Sequence, residues 1–124
     1  MQLSLGTDLI EVERIGEKIA AASGFRELVF SPNEIAYCES KTNKNSHYAA
    51  RFAAKEAFFK ALGTGWLEGT HFNEVEISHD ESGKPFLILL GETQKTLSTW
   101  GINKVLVSLS HLKTIASAVV ILEK

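Results

Sequence analysis

The chain has 124 residues, 44% of them hydrophobic and 23% charged, with a formal net charge of −2 and a pI near 6.1. This length predicts a single domain, residues 1–124, with a substantial hydrophobic core. The slight acidity argues against general nucleic-acid binding, which usually needs a basic surface. Cys38 is the only cysteine, so no intrachain disulfide can form, as is usual in a reducing compartment.

No segment of the sequence predicts export or membrane insertion. The N-terminal residues MQLSLGTDLI lack the basic start of a signal peptide. The longest apolar run, FLILL, is far too short to cross a bilayer. We therefore expect a cytoplasmic protein with no membrane segment.

The N-terminal residues predict a strand followed by a helix. Leucines alternate with polar residues in QLSLG, which is typical of a strand. In TDLIEVERIGEKIAAASG the apolar residues have helical spacing, and Gly24 is the predicted C-cap. Asp8 is therefore predicted to lie at a strand-to-helix junction.

Two further helices are predicted before the middle of the chain. SPNEIAYCES begins the first of them, with Ser31 and Glu34 forming a capping box. After the polar loop KTNKNS, Asn45 or Ser46 is predicted to cap the main helix, which ends at Gly63.

The second half is predicted to be mostly strand. Alternating residues around Val75 and the run FLILL form a hairpin that turns through DESGKP. ETQKTLSTWG predicts a short helix ending at Gly101, and INKVLVSLS and IASAVVIL form a second hairpin that turns through HLKT. The order strand, helices, hairpin, helix, hairpin predicts an α+β fold in one compact domain.

One carboxylate of the main helix, in RFAAKEAFFKALGTG, lies on its apolar side. At ~100° per residue, Glu56 falls between Phe52 and Phe59, where an unpaired charge is costly. An ordinary explanation is an ion pair with Lys60, one turn later, which contributes only ~0.2–0.5 kcal/mol on a surface helix.

The same stretch also carries groups suited to a phosphate ligand. Arg51 and Lys55 lie one turn apart, and Gly63, Thr64 and Gly65 follow the helix. Cations bind phosphate oxygens, and small residues expose backbone N–H groups. The glycines follow the helix instead of preceding it, so this is not a Walker motif, and spacing alone makes it a weak signal.

Asp8 has two possible roles. Aspartate often caps the first turn of a helix. Alternatively, Asp8 and Glu56 suit Mg²⁺, which takes one or two carboxylates and completes its shell with water and substrate phosphate. The sequence has no cysteine cluster or histidine pair that would suit zinc.

The histidines give weaker indications. His111 ends the predicted strand VLVSLSH just before a turn, where a lone histidine is more often a surface residue than a catalytic one. His47, His71 and His79 have less to favour a functional role.

Three segments, GTDLIEVERI, RFAAKEAFFKALGTG and SLSH, together closely resemble the holo-acyl-carrier-protein synthase family, the small bacterial type of 4'-phosphopantetheinyl transferase. The resemblance covers nearly the whole chain, and the F-x-x-K-E-x-x-x-K-A pattern with its downstream Gly-x-Gly is specific. It implies transfer of phosphopantetheine from coenzyme A to a serine hydroxyl of apo-acyl carrier protein. Adenosine 3',5'-bisphosphate is the other product.

The resemblance also implies roles for individual residues. Asp8 and Glu56 would hold Mg²⁺, and Lys60 would act with them in catalysis. The expected coenzyme A contacts are Arg51, Lys55, Lys60, Gly63, Thr64, Gly65, Ser110 and His111. Either Glu56 or a metal-bound water would take the serine proton, and the sequence does not choose between them.

Two kinds of protein contact follow from the same resemblance. Relatives of this size are usually homotrimers with active sites at subunit interfaces. Arg14, Lys18 and Arg26 would bind the acidic carrier protein. The alternative is that they are ordinary solvated residues with no binding role.

Competing hypotheses remain open at this point. One is a Mg²⁺-dependent pyrophosphohydrolase, and another is a transferase that serves a different carrier protein. A non-catalytic binding subunit is a third, although Asp8, Glu56 and Lys60 are all present.

Overall fold

The computed structural model describes residues 2–124, which contain five strands, five α-helices and one short 3-10 helix, Phe72–Glu74. The strands are β1 (Leu3–Glu11), β2 (Val75–His79), β3 (Pro85–Leu89), β4 (Lys104–His111) and β5 (Ile115–Glu123). The helices are α1 (Val12–Ala20), α2 (Phe25–Val29), α3 (Pro32–Glu39), α4 (Lys44–Leu62) and α5 (Gly91–Leu97). The predicted α+β class and both predicted hairpins are confirmed.

A three-stranded antiparallel sheet has the order β1-β5-β4, with β1 at one edge. Asp8 of β1 lies opposite Ala118 of β5, which lies opposite Leu109 of β4. Successive residues of a strand point to opposite faces of the sheet. Gly6, Asp8 and the buried Ile10 therefore share the inner face, which α4 covers.

Small residues bring α4 very close to β1. A Cβ atom on Gly6 would lie 1.9 Å from the carbonyl oxygen of Ala57, so only glycine fits there. Ala57 and Ala61 are buried against the sheet, and the Ser4 hydroxyl donates a hydrogen bond to the Ala61 carbonyl. This contact fixes the main helix over the strand that carries Asp8.

Strands β2 and β3 form a separate two-stranded sheet, which Glu34 connects to α3. The capping box predicted at Ser31 and Glu34 is confirmed, with the Glu34 carboxylate accepting from the Ser31 backbone N–H at 2.9 Å. The same carboxylate accepts from the Ile77 N–H of β2 at 3.0 Å. One buried side chain thus joins a helix start to the small sheet.

Several predicted boundaries are wrong. Strand β1 continues to Glu11, because its alternation of exposed and buried residues persists past Gly6. Gly24 does not end α1; with φ of 91° it precedes α2, a helix that the sequence did not predict. The N-cap of α4 is Asn43, whereas its predicted end at Gly63 is confirmed by a left-handed C-cap. Helix α5 ends at Leu97, before the predicted Gly101.

The outer face of the three-stranded sheet is apolar and uncovered. Leu3, Leu5 and Leu9 of β1 are 60–66% exposed, and Leu106 and Val119 extend this face onto β4 and β5. We call these five residues the outer apolar face. Within residues 2–124, no helix combines the length and apolar character that crossing a bilayer demands.

Candidate active site

Asp8 lies inside β1 and points toward α4. Its predicted position at a strand-to-helix junction is wrong, since the strand continues for three more residues and α1 begins at Val12. This also removes the helix-capping explanation for Asp8. Its side chain is 15% exposed and faces two residues of α4, Glu56 and Lys60.

Lys60 pairs with Asp8 and not with Glu56. Its Nζ donates to Asp8 Oδ1 and to the Thr7 carbonyl oxygen, both at 3.0 Å. The Glu56–Lys60 ion pair one turn apart, the ordinary explanation of the sequence pattern, is therefore not formed. Lys60 remains more than half exposed, so its ammonium is also available to a ligand.

Glu56 is half-buried, and its carboxylate has no hydrogen-bond or ion-pair partner among residues 2–124. Burial raises its pKa, and the negative charge of Asp8 raises it further. The positive charges of Lys60 and Arg14 lower the pKa of Glu56 in part. Lys60 is in ion-pair contact with Asp8 alone, so the Glu56 carboxylate has a negative charge without a direct counter-ion, which a bound cation would neutralise.

The loop after α4 exposes backbone groups near Lys60. Gly63 and Gly65 have φ of 85° and 66°, which glycine adopts without strain. The Thr64 hydroxyl donates to the Gly65 carbonyl oxygen at 2.7 Å, and all three residues are exposed. The loop therefore extends the surface around Lys60 with small residues.

The side chain of Lys55 is bonded within the protein, which counts against its predicted contact with coenzyme A. Its side chain is fully buried, and Nζ donates to Glu34 Oε1 at 2.7 Å. It also donates to the carbonyl oxygens of Phe72 at 2.8 Å and Val75 at 2.5 Å. These three bonds use all three ammonium protons, and Lys55 is a structural residue.

Arg51 belongs to a second group of side chains away from Glu56. Five residues along a helix correspond to ~7.5 Å along the axis and ~140° around it. Arg51 is buried, with Nη2 3.1 Å from His79 Nδ1 and its guanidinium carbon 4.3 Å from the centre of the Tyr37 ring. Its Nε has no hydrogen-bond partner in the described part of the chain.

His111 lies beside this second group. Its ring centre is 5.4 Å from that of His47, and the two rings meet edge to face. Ser110 precedes it at the exposed end of β4. The structure thus brings Asp8, Glu56 and Lys60 together, and leaves Arg51, Ser110 and His111 outside that group.

The three basic residues considered for carrier binding differ in their surroundings. Arg14 and Lys18 are exposed on α1, and Arg14 is near enough to Glu56 to lower its pKa. Arg26 is held by Glu27 at 2.7 Å and by Glu39 at 3.5 Å. A partner would have to compete with these acids for Arg26.

Tyr37, His47 and His79 were not predicted as site residues, and no local pattern would have indicated them. His79 lies 28 residues after Arg51, in a different element. Only the docking of the small sheet against α3 and α4 brings these side chains together.

Known proteins of one family resemble this chain over nearly its whole length. The model of the 4'-phosphopantetheinyl transferase superfamily matches residues 4–116. A holo-[acyl-carrier-protein] synthase from Cytophaga hutchinsonii is 47% identical over 122 residues, covering 97% of this chain and 96% of that protein.

Solved structures agree with this comparison. Holo-[acyl-carrier-protein] synthase from Neisseria meningitidis has a TM-score of 0.89 at 33% identity, covering 98% of each chain. The Bacillus anthracis protein, in complex with CoA (3',5'-ADP), has a TM-score of 0.78 at 33% identity, covering 96% of this chain and 94% of that one. The chain therefore belongs to the 4'-phosphopantetheinyl transferase superfamily.

Proposed function

We propose that this chain transfers 4'-phosphopantetheine from coenzyme A to a serine hydroxyl of apo-acyl carrier protein. The serine oxygen attacks the phosphorus nearer the pantetheine, the bond from that phosphorus to the bridging oxygen breaks, and adenosine 3',5'-bisphosphate leaves. The main support for the proposal is that the side chains of Asp8, Glu56 and Lys60 lie next to one another in a chain of this family. The names of the relatives and the CoA-bound Bacillus anthracis structure support the same reaction.

Asp8 and Glu56 fit a Mg²⁺ ion. The unpartnered, half-buried Glu56 carboxylate faces a second carboxylate, and oxygen ligands of this kind are those Mg²⁺ prefers. Asp8 and Glu56 would hold this ion, which would supply positive charge to stabilise the phosphates during the transfer. A cation bound there would lower the raised pKa of Glu56 and so favour its ionised form.

Lys60 and the loop after α4 would bind the phosphates of coenzyme A. The Lys60 ammonium already lies 3.0 Å from Asp8, so a phosphate bound at the carboxylate pair would be within its reach. Gly63, Thr64 and Gly65 offer exposed backbone groups directly after the last turn of the helix that carries Lys60. Lys60 would then offset charge on the leaving phosphate.

The serine hydroxyl must lose its proton to a base, and whether Glu56 can be that base depends on whether it also binds the metal. A carboxylate that binds a cation has one oxygen less available as a base. We therefore assign Glu56 first as a metal ligand and second as a general base, with a water at the site as the other candidate.

The remaining coenzyme contacts would come from a neighbouring subunit. Arg51, Ser110 and His111 lie outside the Glu56 group of the same chain, so one chain alone does not surround the whole coenzyme. The outer apolar face is a large uncovered surface of the kind that marks an interface. A homotrimer that buries this face and joins the two groups across each interface accounts for both observations.

Arg14 and Lys18 are the best placed residues for the carrier protein. Both are exposed on α1, and Arg14 lies near Glu56, so a carrier helix docked there would bring its serine close to the site. Arg26 would contribute less, because Glu27 and Glu39 already pair with it.

A cytoplasmic location suits this reaction. Cys38 is a free, fully buried thiol, and burial raises its pKa to about 12, so it is unreactive packing. Free thiols are usual in a reducing compartment.

Intact-mass spectrometry of apo-acyl carrier protein tests the proposal. Incubation with coenzyme A, Mg²⁺ and this protein should add one phosphopantetheine group, and EDTA should prevent the gain until Mg²⁺ is restored. Glu56→Gln should lose the activity, whereas Glu13→Gln, at an exposed acid of α1, should retain it. Hydrolysis of coenzyme A without modification of any carrier would instead favour the pyrophosphohydrolase.

A further inference from the structure

Arg51 is a buried cation without an anionic partner. Its side chain is 2% exposed, and no carboxylate lies within ion-pair distance in the described chain. Within residues 2–124, the only hydrogen bonds of its side chain are to the His47 carbonyl oxygen at 3.4 Å and to His79 Nδ1 at 3.1 Å. Burying an unpaired charge is costly unless neutral groups hold it.

Tyr37 and His79 hold the guanidinium between them. The Arg51 guanidinium carbon lies 4.3 Å from the centre of the Tyr37 ring, a cation–π distance. The His79 ring stacks on the same tyrosine, with centres 5.0 Å apart and planes at 17°. The three residues come from α3, α4 and β2, so the stack forms only when these elements dock.

A cavity of about 260 Å³ opens beside the stack. Arg51, Tyr37 and His79 line it together with Asn33 and Ser78. The unpartnered Nε shows that the hydrogen-bonding capacity of Arg51 is not exhausted by the protein. The guanidinium is therefore oriented by neutral neighbours and keeps its full charge.

The hydrogen bond to Arg51 requires neutral His79. Arginine only donates, so His79 Nδ1 must accept and the ring proton must lie on Nε2. Burial and the charges of Arg51 and Lys41 lower the pKa of His79, while Asp80 raises it in part. His79 is therefore neutral near pH 7, as the geometry demands.

We propose that Tyr37 and His79 are positioning residues, which hold Arg51 unpaired and oriented for a phosphate of coenzyme A. This inference rests on the proposed function and extends it to two residues that do not themselves need to touch the coenzyme. Neutral partners orient the guanidinium without cancelling its charge, which a carboxylate in the same place would do.

Substitutions at His79 separate positioning from mere packing. His79→Leu should raise the KM for coenzyme A about tenfold, the effect of losing one hydrogen bond to a charged group. The kcat and the KM for the carrier should stay largely unchanged, since binding of the coenzyme is weakened equally in the ground state and in the transition state. His79→Asn should restore most of the affinity, because Asn Oδ1 is attached to Cγ as Nδ1 is and can accept the same bond.

Tyr37 and an unrelated histidine provide matched comparisons. Tyr37→Leu should raise the KM for coenzyme A, whereas Tyr37→Phe should not, since the ring and not the hydroxyl faces Arg51. His71→Asn is the control, because His71 is exposed and pairs with Glu92, away from the stack.

The pH dependence gives a second readout. Because the pKa of His79 is lowered, its ring gains a proton only at a pH lower than the ordinary histidine pKa of about 6.5, and it then ceases to accept and repels Arg51. The KM for coenzyme A should therefore rise more steeply for the wild-type protein than for His79→Asn, with titration of the coenzyme phosphates common to both. This comparison also decides the matter if His79→Leu fails to fold.

Each failure has a distinct signature. An unchanged KM for coenzyme A in His79→Leu, or identical pH profiles for the wild-type protein and His79→Asn, overturns the positioning role. An unchanged KM in Arg51→Gln shows that Arg51 does not bind the coenzyme. Absence of any transfer by the wild-type protein rejects the proposed function itself.

Discussion

Replacing Lys55 by methionine should destabilise the protein severely, because this lysine is fully buried and bonded on all sides by the protein. The change removes three hydrogen bonds and leaves the Glu34 carboxylate buried without its counter-ion. Breaking a buried ion pair from one side costs ~3–5 kcal/mol. Glu34 keeps its hydrogen bonds from two backbone N–H groups, which favours a loss in the lower part of this range. The carbonyl oxygens of Phe72 and Val75 lose the hydrogen bond from Lys55, which favours a loss in the upper part.

Urea unfolding monitored by circular dichroism measures this loss. A loss of ~3–5 kcal/mol is a large share of the ~5–15 kcal/mol typical of a whole domain. Adding Glu34→Gln to Lys55→Met removes the unpaired charge and should recover part of the stability. A single-variant loss below ~1 kcal/mol, or a double variant that is less stable than Lys55→Met, would refute the reasoning.

Three further predictions concern the site and its support. Glu56→Gln should lose nearly all turnover, yet its thermal midpoint in metal-free buffer at neutral pH should not fall. The folded-state pKa of Glu56 is raised, so its ionised form is a destabilising group that is relieved only as the pH falls; a lower midpoint in differential scanning fluorimetry would contradict this. Arg14→Glu should raise the KM for the carrier several-fold, with a smaller effect at high salt, and steady-state kinetics showing no change would place carrier docking elsewhere. Gly6→Ala should cost ~3 kcal/mol or more, because its methyl group would overlap the Ala57 carbonyl oxygen; urea unfolding with a wild-type midpoint would contradict the close packing.

The sequence predicted correctly those features that depend on residues close together along the chain. The Ser31–Glu34 capping box and the end of α4 at Gly63 are set within one helical turn, and both predictions are confirmed. Asp8 was misplaced because TDLIEVERI satisfies a helical spacing as well as a strand alternation. Pairing with β5, more than a hundred residues later, decides in favour of the strand.

The different environments of Lys55 and Lys60 in α4 could not be predicted from the sequence. Lys55 and Lys60 have similar local patterns, yet one is buried and the other is exposed beside Asp8. The difference depends on Glu34 and on the carbonyls of Phe72 and Val75, which meet Lys55 only in the folded chain. The same limitation explains why the contact between Arg51 and His79 was not predicted.

The position of β1 at the edge of the sheet bears on the order in which the molecule assembles. Of the five described strands, β1 is synthesised before the others, but its one neighbour in the described sheet is β5, which follows the other four along the chain. Until residues 115–123 emerge, Asp8 has no strand partner to hold it, and Ile10, which is buried in the finished fold, lacks the strand beside it. Contacts of such long sequence separation slow folding and favour aggregation of incomplete chains. The carboxylate pair is therefore among the last features of the fold to form.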